Sequence, residues 1–294
     1  MNRPFTYKLN IFLFLLPALI LFIGILIAPI AMSAYYSLTE WNGLGTPEFI
    51  GLKNYAELFT SKSINIMRAL KNAMLLAVLS VCIQLPFALL LALKLSRHVK
   101  GERWYLAIYF MPVLISSVVI GQLWIKIYNP EYGALNMFLR SLGLENWCQI
   151  WLGDKNVAFG ACLVPILWQY VGYHMLLMYA GIKGVPTDLL EAAQLDGCTE
   201  GQVNRHIIIP YIKPILRVCV IFAVTGSLKS FDLIYTLMND TRRAELPSTL
   251  MYKLTFLNNR YGLGSAIAVV LIILCFAFAL LISLAFKDRG EKVA

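Results

Sequence analysis

The sequence predicts an all-α integral membrane protein of six transmembrane helices, with a compact charged helix–turn–helix between the fourth and fifth spans. Three observations carry that prediction. Of 294 residues, 59% are hydrophobic and 14% charged, with a mean hydropathy of +0.70, whereas soluble domains carry about 25% charged residues. Five segments hold no Lys, Arg, Asp or Glu: residues 11–32, 73–93, 104–125, 157–182 and 262–286. Each is long enough to cross a bilayer core, which takes roughly 20 apolar residues in helix. A sixth segment, 218–238, has the length but contains Lys229 and Asp232.

The first span follows Arg3 and Lys8 and is followed by a small-x-small site, Ala31-Met32-Ser33. Its uncharged run, 9–38, is far longer than the roughly 7–15 residues of a signal-peptide core, so an uncleaved helix is expected. Between the second and third spans lies "KLSRHVKGER" (94–103), with Lys94, Arg97, Lys100 and Arg103 against one acid. Basic residues near span ends stay cytoplasmic. Lys287, Arg289 and Lys292 follow the last span, whereas loops 39–71, 129–155 and 239–261 balance their basic residues with acids. Both termini and the insert 183–217 are therefore expected in the cytoplasm. Pro17, Pro86, Pro112 and Pro165 fall inside spans and read as packing kinks, whose freed carbonyls neighbouring helices or water can satisfy.

The net charge of +9 is spread beside apolar segments and forms no single patch, which argues against nucleic acid as a partner. Of six cysteines, Cys82, Cys162, Cys219 and Cys275 sit within apolar runs as small hydrophobes, so no structural disulfide is expected. No internal repeat or low-complexity segment divides the chain, and residues 1–294 read as one membrane domain.

The interruption before the fifth span, "EAAQLDGCTEGQVNRHIIIP" (191–210), carries its own local signals. Asp188 and Glu191 lie in the first turns of a helix starting near Thr187, where acids favour the positive end of the macrodipole. Gly197 stands where a left-handed C-terminal residue is wanted. Thr199 and Gln202 form a capping box for a second helix, which reaches about Ile209 before Pro210 ends or kinks it. A plain connection between two spans is one reading. A DNA-binding helix–turn–helix is disfavoured, because residues 187–206 carry four acids against Arg205. A docking element is the third, since Ala192 and Ala193 keep the backbone close to the surface.

Glu191-Ala192-Ala193, Gly197 and Ile207-Ile208-Ile209-Pro210, at this spacing, resemble the cytoplasmic "EAA" motif. That motif belongs to permease subunits of binding-protein-dependent ATP-binding-cassette importers. Ile209 and Cys198 depart mildly from the common pattern, where leucine and alanine stand. The resemblance covers nearly the whole chain. "GLKNY" (51–55), "YGALNMFLRSLGL" (132–144), "WLGD" (151–154) and "KSFDLIYTL" (229–237) are similar to sugar permeases of the maltose and glycerol-3-phosphate type. "MNDTRRAELPST" (238–249) stands where relatives often have a Gly-Gly-Pro segment. The resemblance implies a heterodimer with a second homologous permease, two copies of an ATPase, and an extracellular or periplasmic solute-binding protein that delivers a sugar. Helix 187–196 is then the coupling helix, with Glu191 and Gly197 setting its contact and its turn. ATP and Mg belong to the partner ATPases, and this chain, which has no G-x-x-x-x-G-K-[ST] motif, binds no cofactor of its own.

Candidates for the solute path follow from polar groups inside spans, which usually face a cavity or a partner. Lys229 and Asp232 are three apart and can meet on one helix face as an ion pair that fixes packing; lining the path is the alternative. Ser227 and Ser230 offer hydroxyls to a sugar. "LWQYVGYH" (167–174) clusters Trp168, Gln169 and Tyr173, where rings suit sugar C–H faces and the amide suits hydroxyls. An interfacial aromatic belt is the competing role for Trp168. His174 reads as a packing histidine with no assigned role. Overall the chain reads as a transport subunit of a carbohydrate importer in a bacterial cell membrane, and as no enzyme. It has neither an H-E-x-x-H metal site nor a G-x-S-x-G elbow. An importer for another small solute is one rival. An ion-coupled carrier is another, though Asp232 is the only acid in a span.

Overall fold

The computed structural model describes residues 4–97, 99–238 and 244–287. The departure from Gly-Gly-Pro at 239–243, and the charges Arg3, Arg289 and Lys292 used for orientation, lie outside the described residues. The chain forms two compact units: residues up to Ile66 with Leu250–Ile272, and Met67–Thr249 with the segment after Ile273.

The first unit opens with α1, which runs from Pro4–Phe22 through a π-helical turn at Ile23–Ile27 into Ala28–Tyr36. No residue of its apolar window, within Asn10–Tyr36, is buried. A two-residue ladder follows, β1 (Thr39–Glu40) antiparallel to β2 (Glu48–Phe49), then α2 (Lys53–Thr60). Asn54 ties the turn after α1 to α2, its Nδ2 donating to the carbonyls of Ser37 at 2.9 Å and Thr39 at 2.8 Å. Trp41 stacks on Tyr36 with ring centroids 4.6 Å apart and tilts against Tyr261 at 5.3 Å.

Arg260 clamps Glu57 from both guanidinium nitrogens, Nη1 to Oε1 at 2.8 Å and Nη2 to Oε2 at 2.6 Å. These hydrogen bonds hold the Glu57 carboxyl below its ordinary value of 4.5. A carboxyl lowered by folding adds stability above its ordinary value and loses it as pH falls through the lowered one. Because both side chains are about two-fifths exposed, solvent screening keeps the pair to less than ~1 kcal/mol. Glu57→Gln is therefore expected to lower the melting temperature slightly at pH 7 and by progressively less as the pH is taken below 4.5; a melting series in detergent from pH 7 into the acid range checks it.

The second unit is built on the long helices. They are α3 (Ile66–Leu95, with a π-helical turn at Ser80–Gln84), α4 (Glu102–Leu114), α5 (Ser117–Ile127) and α6 (Ala134–Ser141). After them come α7 (Ala158–Lys183), α8 (Thr187–Leu195) and α9 (Glu200–Val203). A π-helical turn at Asn204–Ile208 and a last turn at Ile209–Tyr211 lead into α10 (Lys213–Lys229) and α11 (Asp232–Met238). The remaining helices, α12 (Pro247–Tyr252) and α13 (Tyr261–Ala285), each have residues in both units. α7 is the hub of this unit, packed by the second half of α3, by α4 and by α10, while α11 lies on α5. Where α4 crosses α7, Gly172 meets the Tyr109 backbone. A core of Ala88, Ala92, Met175, Met178, Ile212 and Cys219 joins α3, α7 and α10. The six cysteines are free thiols, with Cys162 and Cys219 fully buried.

Five described helices are long and apolar enough to cross a membrane, or six if one bent pair counts as a span. That pair falls on the third span expected over 104–125, where a kink at Pro112 is the only departure from regular helix expected. Ile115 and Ser116 are both extended, with ψ of 137° and 134°, and α5 leaves α4 at 95°. The fifth span also differs. It starts earlier than 218, at Lys213, and breaks at Ser230 (φ −58°, ψ 127°) between α10 and α11. Three of the π-helical turns share a cause. Those at Ile23–Ile27, Ser80–Gln84 and Asn204–Ile208 end two residues before Pro29, Pro86 and Pro210. A proline ring crowds the carbonyl four residues back and supplies no N–H to it, so the helix widens there. Pro210 accordingly widens its helix without ending it, and the chain turns on to Tyr211.

Candidate functional site

Two features gather the residues singled out from the sequence: a polar cavity in the second unit, and the insert that projects beyond α7. The cavity, about 320 Å³, opens among α3, α5, α7, α10 and α11, near the lower end of roughly 300–1,000 Å³ for small-molecule sites. Its lining includes Gln169 and Tyr173 from α7, Ser227 and Lys229 from α10, Ser230 at the break, and Asp232 from α11. Ser230 is extended at the break, and Lys229, Ser230 and Asp232 line the cavity from either side of it. Lys229 and Asp232 do not share a helix and do not meet in an ion pair, which corrects the packing-pair expectation: both are exposed at the cavity.

Deep in the cavity the polar groups are buried and incompletely matched. Ser227, 5% exposed, donates to Ala223 O at 2.7 Å within its own helix and lies 3.5 Å from Ser80 Oγ. Gln84 Nε2 donates to Leu167 O at 2.9 Å. Gln169 Nε2 makes a long bond to Ser117 Oγ at 3.4 Å, and its Oε1 has no partner although the residue is 3% exposed. His174 Nδ1 is likewise buried and unpartnered. An unmatched buried polar atom costs about 1–3 kcal/mol, so two on residues of one cavity lining mark a surface suited to a polar ligand or to water. Tyr173 supplies aromatic surface, edge-on to His174 and tilted against Phe222 at 6.2 Å.

Trp168 lies outside this lining. One residue before Gln169, it points about 100° further round the helix, where it is 42% exposed and edge-on to Trp124 at 6.0 Å. That placement leaves it out of the cavity lining expected for the path. Sequence reasoning missed Ser80, Gln84, Ser117 and Thr225, all in the lining, and left His174 without a role. A polar residue at i, i+4 inside an apolar span, as Ser80 and Gln84 are, was the signal available for the first two.

The insert forms as its local signals dictate. α8 starts at Thr187, and Gly197 takes φ +75°. Gly197 N–H donates to Gln194 O at 3.0 Å and Cys198 N–H to Ala193 O at 2.9 Å, which together close the end of α8. Gln202 Oε1 accepts from the Thr199 backbone N–H at 2.7 Å, one arm of the capping box. The alanines divide: Ala193 is buried against the chain, whereas Ala192 faces out beside Glu191. On the outer side Leu195 is 89% exposed and Leu189 48%, two apolar side chains the sequence reading did not single out. Pro210 sits where the second half of the insert returns, and Tyr211 OH closes the base by donating to Gly184 O at 2.9 Å. Among the described residues no group of three His, Cys, Asp or Glu side chains could hold a metal ion.

Several apolar helices long enough to cross a bilayer, around a polar cavity, define a multi-pass membrane protein. The chain belongs to the family of binding-protein-dependent transport system inner membrane components, whose model matches residues 84–292. It is a permease subunit and not an enzyme. It is 37% identical to a probable ABC transporter permease, YurN, of Bacillus subtilis, across 97% of this chain and 98% of that one. It is 28% identical to the diacetylchitobiose uptake permease NgcF of Streptomyces coelicolor, across 98% of this chain and 86% of that one. Its fold matches a chain of a bacterial alginate ABC transporter, solved with an alginate-bound periplasmic protein. The TM-score is 0.84 at 24% identity, over 97% of this chain and 96% of that one.

Proposed function

We propose that this chain is the membrane-spanning permease subunit of an ATP-driven carbohydrate importer, acting by alternating access on sugar delivered by an extracellular or periplasmic binding protein. The observation that carries the cargo class is the cavity. It sets unpartnered buried polar atoms, Gln169 Oε1 and His174 Nδ1, beside hydroxyls and the Tyr173 ring. A sugar can satisfy the first with its hydroxyls and cover the second with its C–H face. The named relatives that take up diacetylchitobiose and alginate support that reading.

In this reading the whole chain works as one transmembrane domain beside a second, homologous permease. Two ATPase subunits bind ATP and Mg, and none of that chemistry falls to this chain. α8 is the coupling helix, with Glu191, Ala192 and the turn at Gly197 presented to a cleft of the ATPase, and the outward Leu195 is the apolar contact that such a cleft would cover. The basic segment 94–103 supports placing the insert and both termini on the cytoplasmic side of a bacterial cell membrane.

The test is uptake into proteoliposomes that contain this chain and the proteins encoded beside it. Labelled mono- to pentasaccharides, polyols and amino acids serve as cargo, with the ATP inside. The expected result is binding-protein-dependent, ATP-dependent sugar uptake that a proton ionophore leaves unchanged. Gln169→Leu should cut it about tenfold, the worth of one good hydrogen bond to a ligand. Uptake driven by an ion gradient without ATP would overturn the reading in favour of a carrier, and ATP-driven uptake of a non-sugar alone would overturn the cargo class.

A further inference from the structure

The short loop between α3 and α4 holds the insert at both of its ends. At the far end, Arg97 pairs through Nη1 with Glu200 at the start of α9, and its Nη2 donates to Asn204 Oδ1 at 3.2 Å. At the near end Glu102, the first residue of α4, accepts from Tyr179 OH and faces Lys183 Nζ at 3.6 Å. Tyr179 and Lys183 form the last turn of α7, and Lys183 Nζ lies 5.5 Å over the Tyr179 ring. α8 therefore hangs between two anchored points, one before it and one after it, and both anchors belong to the same loop.

Beneath the insert, Ile208 and Ile212 are buried in the core with Ala88, Ala92 and Leu95 of α3. A displacement of α8 thus meets α3 twice, through apolar packing below and through the Arg97 side chain beside it. α3 in turn carries Ser80 and Gln84 into the cavity.

We propose that Arg97, just after α3, and Glu102, at the start of α4, are the positioning residues of a strut: they hold the insert's ends to α3 and α4, so that movement of a docked motor is delivered to the cavity. The proposal rests on α8 being the coupling helix. An exposed ion pair adds little to stability, so the strut serves alignment more than folding. That separates it from a merely structural contact.

The experiment uses the complete importer, co-expressed and reconstituted, with Arg97→Glu, Glu200→Arg and the two combined. Two quantities are read: ATPase subunit retained in a mild-detergent pull-down, and cargo moved per ATP hydrolysed. The expected result is that both single variants keep the ATPase while cargo per ATP falls about fivefold, the factor that corresponds to ~1 kcal/mol of lost alignment. The combined variant restores the pair with reversed polarity, and Asn204 can turn its amide to donate to Glu at position 97. Cargo per ATP should return to within about twofold of wild type, the remainder being what an imperfectly re-formed pair leaves. An unchanged ratio in the single variants, or no recovery in the combined one, overturns the strut. Loss of the ATPase from the single variants would make Arg97 a docking residue and overturn it as well. A wild-type complex with no ATPase would instead remove the coupling-helix reading, which is a different failure seen before any variant is made.

Discussion

Gly172→Ala is expected to cost this protein most of its folded yield. A Cβ at Gly172 would overlap the Tyr109 carbonyl oxygen and stand 2.5 Å from its carbon and 2.9 Å from Phe110 Cα. All of these are backbone or Cα atoms of α4, so no rotamer change can make room, and the two helices must separate. Overpacking by one methyl costs roughly 1–3 kcal/mol where side chains can adjust. Between two backbones in a membrane, where close approach of small residues supplies much of the packing, the upper end applies. Separating α4 from α7 would also open the cavity wall that α7 supplies. Thermal midpoint and monodisperse yield in detergent should drop sharply for Gly172→Ala and further for Gly172→Val. Gly160→Ala on the same helix is the control. A Cβ there meets nothing within 4 Å, and replacing a helical glycine gains up to about 1 kcal/mol. Equal melting of the two alanine variants would show that the α4–α7 crossing is looser than described.

Glu191→Lys combined with Gly197→Pro is expected to abolish retention of the ATPase subunit while leaving the membrane bundle folded. Glu191 is exposed on the outer side of α8, so its reversal touches no core contact. Gly197 holds φ at +75°, which the proline ring, locked near −65°, cannot adopt. Proline also removes the N–H that Gly197 donates to Gln194 O. The end of α8 therefore unwinds locally, and the presentation of Ala192 and Leu195 goes with it. The measurement is a mild-detergent pull-down beside a melting curve: no ATPase, with a midpoint within a few degrees of wild type. Full retention would mean that α8 is not the docking element.

How far the sequence was legible differs between these regions for physical reasons. The insert is governed by short-range rules. An N-terminal acid, a left-handed glycine and a Thr-x-x-Gln box act within one or two turns, and all three appear where the residues placed them. The third and fifth spans are governed by long-range packing. Apolar count establishes that 104–125 is suited to lipid, but not that its path is straight. Ile115-Ser116 contains neither glycine nor proline, so nothing local announces a 95° bend. The same limit explains Lys229 and Asp232, which share a face only if Ser230 is helical, and it is extended. For the cavity, residue type was a good guide and neighbourhood was not: Gln169 and Trp168 are adjacent in sequence, yet one is buried at the site and the other looks outward. Three π-helical turns lie just upstream of a proline, but Pro17, Pro112 and Pro165 sit inside helices without one, so proline alone does not announce the widening.

The first helix shows what happens to a sequence when nothing in its own chain needs its shape. None of the residues in its apolar window within Asn10–Tyr36 is buried among the described residues. Val–Leu–Ile–Phe exchanges along it act chiefly on the free energy of transfer from water to hydrocarbon. Selection on such a helix acts on a sum rather than on positions. Its history should therefore be written in drift of individual letters at constant hydropathy, while α7, fitted against helices on several sides, keeps its residues one by one.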